Sequence, residues 1–126
     1  MSTPADLLRN SADLIVLSVL AEGPRYGYAI SKQVAAQSEG AIRLSAGMLY
    51  PLLHELEQQG LLLSSWELVQ ASDNQDEDKG RKRKWYELTA AGKKRLTAQA
   101  AEWSDYAEVI RQILSLSPLR TEGAGN

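Results

Sequence analysis

Leu49, Leu52, Leu53 and Leu56 recur at spacings that put all four on one side of an α-helix. The segment that carries them is punctuated at both ends. Ser45 can accept a hydrogen bond from an otherwise unpartnered amide of the first turn. Gly60 can adopt the left-handed conformation that stops a helix. Pro51 falls inside the segment, where it removes one backbone hydrogen bond and predicts a bend. The face away from the leucines carries Tyr50, His54 and Gln58, with Met48 and Glu55 close by. A helix with one apolar stripe and an opposite face of aromatic and polar donors suits a DNA major groove.

The pattern on either side predicts the remaining elements. Thr3-Pro4-Ala5-Asp6 opens a first helix with a capping Thr, a Pro at the first position and an early acid. Its apolar positions run through Leu7, Leu14, Ile15, Leu17 and Leu20 until Gly23-Pro24. A second helix is predicted from about Tyr26 to Gln37, with Tyr28, Ile30 and Val34 inward and Gly40 as its breaker. Ile42 and Leu44 alternate with Ala41 and Arg43, which predicts a very short strand before Ser45. Leu61 to Val69 read as a strand, residues 70–80 as a polar turn region, and Arg81 to Leu88 as the returning strand. On that strand Lys84, Tyr86 and Leu88 share one face and Arg83, Trp85 and Glu87 the other. Thr89 caps a long final helix that reaches about Ser117, before Pro118. Gly92 in its first turn lowers helix propensity by about 1 kcal/mol.

The predicted fold is therefore mainly α with a small β-hairpin: a winged helix-turn-helix plus a C-terminal dimerisation helix. The winged helix-turn-helix with its N-terminal helix spans residues 1–88, the dimerisation helix 89–117, and a disordered tail 118–126.

Composition narrows the chemistry. The chain of 126 residues is 44% apolar and 24% charged, ordinary for one globular domain. It has no cysteine and a single histidine, so neither disulfides nor a zinc cluster is expected, and no cofactor is predicted. No secretory signal pattern opens the chain, and its apolar runs are too short to span a bilayer, so a soluble cytoplasmic protein is expected. The formal net charge of −2 argues against a uniformly basic surface. The charge is local instead: Lys79 to Lys84 hold five cations in six positions, directly after Asp73 to Asp78 with four anions in six. With no paired nucleophile and base and no glycine-rich phosphate loop, an enzyme is not expected.

Three blocks resemble the PadR family of bacterial transcriptional regulators: Leu17 to Ile30 (LSVLAEGPRYGYAI), Leu44 to Leu56 (LSAGMLYPLLHEL) and Gly80 to Gly92 (GRKRKWYELTAAG). The resemblance runs from about residue 12 to 116, and its specificity lies in all three blocks occurring in order. It implies a homodimeric winged helix protein that binds operator DNA, usually as a repressor. The single C-terminal helix resembles the family's shorter subgroup, whose members are released by small molecules that include flat aromatic drugs. The acidic segment of residues 72–78 departs from the shortest wings of the family.

For each candidate residue two readings stand side by side. Tyr50 either reaches a phosphate or base edge or packs half-buried on the second helix. Met48 and His54 flank the same face; His54 contacts DNA or is an exposed histidine without a task. Ser45 caps the helix and can also touch a phosphate. Gly27 either lets a phosphate approach free amides at a helix start or permits close contact between helices. Of Tyr26 and Tyr28, one ring is expected to be buried and the other near DNA, with Tyr26 the outer one. Lys79, Arg81, Lys82, Arg83 and Lys84 either straddle the DNA backbone at the base of the wing and enter the minor groove, or form a solvated face. In the first reading the acidic segment swings away from DNA.

In the last helix Leu96, Ala100, Trp103, Ala107, Ile110 and Leu114 follow spacings of 4, 3, 4, 3 and 4, a heptad seam. Tyr106, Val109, Ile113 and Leu116 widen it. A second copy is the natural cover for so long a stripe. Trp103 between Ala100 and Ala107 is either dimer core or, as the resemblance implies, a slot for a planar aromatic effector. The expected partners are thus double-stranded operator DNA, a second copy and a small aromatic effector. The alternative is a winged helix that serves as a protein–protein interaction module without DNA.

Overall fold

A computed structural model of the chain describes residues 4–68 and 82–116, the side chains of 4–10, 68 and 82 excepted. The order is α1 (Pro4–Ala21), β1 (Arg25–Tyr26), α2 (Gly27–Gln37), α3 (Ala46–Gln58), β2 (Leu62–Leu68), β3 (Lys82–Leu88) and α4 (Ala90–Ser115). The chain divides into two units, the first ending at Leu96 and the second beginning at Thr97, within α4.

The core of the first unit is apolar and continuous. It joins Val16, Leu17, Val19 and Leu20 of α1, Ile30 and Val34 of α2, and Leu49, Leu53 and Leu56 of α3. Leu62, Tyr86 and Leu88 of the sheet close it. Leu52 and Met48 pack against it, partly buried. Each fully buried leucine contributes roughly 1.5–3 kcal/mol, so the stripe that predicts α3 also secures it. Ser45 caps α3, its Oγ accepting from the Met48 amide at 3.3 Å. The helix runs unbroken through Pro51 and ends at Gln58, with Gly60 at φ +79°.

The sheet has the order β1-β3-β2, antiparallel throughout. Its register pairs Leu62 with Leu88, Ser64 with Tyr86 and Trp66 with Lys84 on the inner face. Leu63 with Glu87, Ser65 with Trp85 and Glu67 with Arg83 lie on the outer face. β1 adds only Arg25 and Tyr26, opposite Tyr86 and Trp85.

Two expectations are corrected here. No strand forms over 41–44. The Ser38 hydroxyl binds the Val34 and Ile42 carbonyls at 2.8 and 3.2 Å and accepts the Ile42 amide at 2.9 Å, which occupies groups a ladder would need. The third strand is instead β1, which displaces the start of α2 to Gly27. Tyr28 is not inward either: it is 43% exposed, whereas Ile30 and Val34 are buried.

The penalty assigned to Gly92 has a compensating reason. A Cβ there would fall onto the Leu61 carbonyl oxygen and against the Leu88 side chain. The first turn of α4 is thereby seated against the start of β2. Thr89 secures it: its amide donates to the Leu61 carbonyl at 3.1 Å, its hydroxyl donates to the Gly60 carbonyl at 2.7 Å, and that hydroxyl accepts the Gly92 amide at 3.0 Å.

Residues 1–3, 69–81 and 117–126 lie outside the described residues. With them lie the expected cap at Thr3, the acidic segment, Lys79, Arg81 and the tail. The Lys82 side chain lies outside as well.

Candidate nucleic-acid interface

α2 begins where β1 stops, beside the part of β3 that β1 leaves uncovered. Here Tyr26, Gly27, Tyr28, Tyr50, Trp66, Arg83, Lys84 and Tyr86 line one open hollow of about 420 Å³. Five of these eight residues are aromatic and two are cationic, so the hollow offers hydroxyl donors and positive charge against flat apolar walls.

Gly27 is the joint between the two helices. A Cβ on it would stand 2.8 Å from Tyr50 Cε1 and 3.1 Å from the Tyr50 hydroxyl. The Tyr50 ring therefore rests on the backbone of α2's first turn while remaining 44% exposed. Tyr50 thus packs half-buried on the second helix, with part of its ring still presented to solvent. Of the two readings of Gly27, the one the geometry displays is close helix contact.

The cations are held by rings. The Arg83 guanidinium lies 5.1 Å from the Tyr28 ring centroid and 6.0 Å from that of Tyr26, and its Nη1 donates to the Tyr28 hydroxyl at 3.3 Å. Lys84 Nζ stands 5.5 Å from the Trp66 ring and 5.9 Å from Tyr86. Such cation–ring contacts contribute about 0.5–1 kcal/mol each at exposed sites and fix where the charge sits. Lys84 is also 3.7 Å from Glu57 Oε1, and Ser64 donates to Glu57 Oε2 at 2.6 Å. One carboxylate from the last turn of α3 thus ties the inner face of the wing.

On the outer face the Tyr26 ring stands edge-on to Trp85 with centroids 4.6 Å apart, and stacks on Tyr28 at 6.0 Å. Its hydroxyl donates to Glu67 Oε1 at 2.7 Å. That bond, then desolvation, raises the Tyr26 phenol above its ordinary pKa, against the lowering influence of Arg83. Burial, then the charge of Glu57, raises Tyr86. Both phenols therefore stay protonated donors at neutral pH.

The candidates divide accordingly. Tyr26, Gly27, Tyr50, Arg83 and Lys84 come together in the hollow. His54 is exposed on the Tyr50 face of α3, one turn on, and Ser45 is exposed at its start. Met48 turns partly into the core instead of standing on that face. The expected split of the tyrosines is corrected: neither ring is buried, and Tyr28 is the more exposed of the two. Trp66, Tyr86, Glu57 and Glu67 join the site without a signal that marks them for it, and Tyr28 joins it although Tyr26 is the ring expected there. The alternation that puts Tyr86 and Lys84 on one face of β3 was the signal available for Tyr86.

In the second unit, Ala107 and Ile110 are half-buried and Ala100 is exposed. Trp103, Tyr106, Val109, Ile113, Leu114 and Leu116 are all more than half exposed in the single chain. Among the described residues no three side chains could hold a metal ion, and no helix is long and apolar enough to cross a membrane.

Comparison with known proteins converges on one group. The model of the transcriptional regulator PadR-like family matches residues 16–98. A transcriptional regulator of Mycobacterium tuberculosis, Rv3488, is 34% identical over 102 residues, 81% of this chain and 84% of that protein. Among solved structures, a PadR family transcriptional regulator from Eggerthella lenta is 35% identical with a TM-score of 0.71, covering 90% of this chain and 89% of the other. A transcriptional regulator from Clostridium thermocellum is 28% identical, also at 0.71, covering 85% and 96%.

Proposed function

The chain belongs to the PadR-like family of transcriptional regulators, and we propose that it is a DNA-binding repressor that grips a pseudo-palindromic operator as a homodimer in the cytoplasm. One observation carries the reading. Tyr50 on α3, seated on Gly27, shares its hollow with Tyr28 and an Arg83 guanidinium held in place by rings. Hydroxyl donors and a planar cation on one open surface match a phosphodiester, which needs charge and directed donors at once. In this reading α3 enters the major groove with Tyr50 and His54 outward. Tyr26 and Ser45 contact the backbone, and the wing-base cations Lys79, Arg81, Lys82, Arg83 and Lys84 follow the adjoining strand.

Two copies would join through α4. The seam of Leu96, Ala100, Trp103, Ala107, Ile110 and Leu114 supports this, because the exposed apolar side chains of the last turns need cover. A two-fold pair sets its recognition helices about one DNA turn, ~34 Å, apart. Occupancy of the operator would exclude polymerase. A flat aromatic effector lodged between the two copies of Trp103, beside Ala100 and Ala107, would release DNA only if it favours a different angle between the winged domains. No catalytic chemistry is assigned.

The test is selection of duplexes from a random pool by the full chain, followed by affinity measurements across salt. A dimer that engages roughly six to eight phosphates gives a log–log slope of about −5 to −7. Recovery of a two-fold symmetric sequence with such a slope is expected. Failure to select any duplex at low salt would leave the protein-interaction module as the better account.

A further inference from the structure

We infer that Glu67 is a built-in rival for the DNA phosphate and sets how tightly the chain holds its operator. The inference rests on the DNA-binding reading above and adds an affinity-determining residue to it. Glu67 occupies the place of an anion in miniature. Its Oε1 accepts the Tyr26 hydroxyl at 2.7 Å, and in the β2–β3 register it stands directly opposite Arg83. Arg83 in turn lies 6.0 Å from the Tyr26 ring and 5.1 Å from the Tyr28 ring. Tyr26 and Arg83 are two of the donors that line the hollow. One of them is engaged by a carboxylate of the protein itself, and the other faces that carboxylate across the strand pair.

A phosphodiester that approaches Tyr26 and Arg83 must therefore displace the Glu67 carboxylate or tolerate its negative charge. Displacement is mechanically simple. Glu67 is exposed and can turn outward. The Tyr26 ring stays in place without it, wedged edge-on against Trp85 at 4.6 Å and stacked on Tyr28 at 6.0 Å. The hydroxyl is then free to donate to another acceptor. The exchange of one anion for another makes binding weaker than the donors alone would allow. It also keeps the site from holding any stray phosphate firmly.

The experiment uses the full chain and the duplex that the wild type selects from a random pool. Affinities are measured for wild type, E67Q, E67A, Y26F, the E67A/Y26F double variant and the control E87Q. Glu87 lies on the same outer face but opposite Leu63, so E87Q removes equal charge without freeing Tyr26. E67Q is expected to tighten binding by roughly two- to fivefold per subunit, the range of an exposed charge contact, and E87Q by clearly less. Y26F is expected to be nearly silent in the wild type, where a bond to Glu67 is traded for one to phosphate. In the E67A background it should weaken binding by roughly threefold or more. Equal effects of E67Q and E87Q, weaker binding by E67Q, or a strictly additive double variant would overturn the inference while leaving DNA binding intact. A wild type that selects no duplex overturns the DNA-binding reading itself.

Discussion

Replacing Gly27 by alanine separates what the Gly27–Tyr50 contact does for folding from the part it takes in the proposed binding. The new Cβ would stand 2.8 Å from Tyr50 Cε1. Carbon atoms settle about 3.5–4.0 Å apart, so the ring must retreat by about 0.7–1.2 Å. It is able to: the clashing atoms are the far end of a side chain that is 44% exposed, with no backbone among them. The replacement also removes a glycine from the first helical residue, which stabilises by up to about 1 kcal/mol. The two effects oppose each other, and the unfolding free energy should stay within about 1 kcal/mol of wild type. Binding should not. In the proposed complex a Tyr50 hydroxyl displaced by about 1 Å would lose a hydrogen bond to phosphate worth about 1 kcal/mol, or roughly fivefold per subunit and about 25-fold for two subunits. Tyr50→Phe should show a similar loss without moving the ring. Thermal melts and fluorescence anisotropy on a labelled operator measure the two quantities on the same samples. The reasoning is refuted if Gly27→Ala unfolds the protein by more than about 2 kcal/mol, since the ring is then not free to yield, or if affinity is unchanged.

Gly92→Ala should behave in the opposite way, because backbone is what it meets: a loss of roughly 1–3 kcal/mol in chemical denaturation is expected. Ile113→Asp, at a side chain 60% exposed in the single chain, should leave the melting of the winged domain unchanged but yield a monomer in light scattering, with operator affinity reduced to that of one half-site. Alkaline stability should report Tyr86. Its phenol is raised above the ordinary value of 10.0 by burial and by Glu57, so the fold favours the neutral form. That contribution is complete below 10.0 and is lost as the pH climbs through the higher folded value. Melts across this window should fall more steeply for wild type than for Tyr86→Phe.

Legibility varied along the chain for physical reasons. The bounds and apolar stripe of α3 are readable, because its cap, its leucines and its glycine stop are all local signals; the turn of Met48 toward the core is not. The inward assignment of Tyr28 failed on geometry: at 100° per residue it sits 200° from Ile30, so one stripe cannot hold both. β1 was invisible because two residues carry no periodicity, and the strand expected at 41–44 failed because Ser38 claims the Ile42 backbone. The faces of β3 followed from simple alternation. Their partners did not, since thirteen residues separate β2 from β3, too many for the sequence spacing to fix the register. The hollow depends on that register. It juxtaposes Trp66 with Lys84 and Glu67 with Arg83, and no pattern in the sequence alone could align them. Gly92 shows the limit of propensity: its cost was legible, its reason was a carbonyl thirty-one positions away.

The Thr89 junction has an evolutionary corollary. Its bonds to Gly60 and Leu61 buckle the two strands together at their feet, where β2 leaves the core and β3 returns to it. Strands fastened at that end do not rely on the connection between them for alignment, and the entropy of closing a longer connection grows only slowly with length. Descendants can therefore lengthen, shorten or recharge that connection without disturbing the strand pairing.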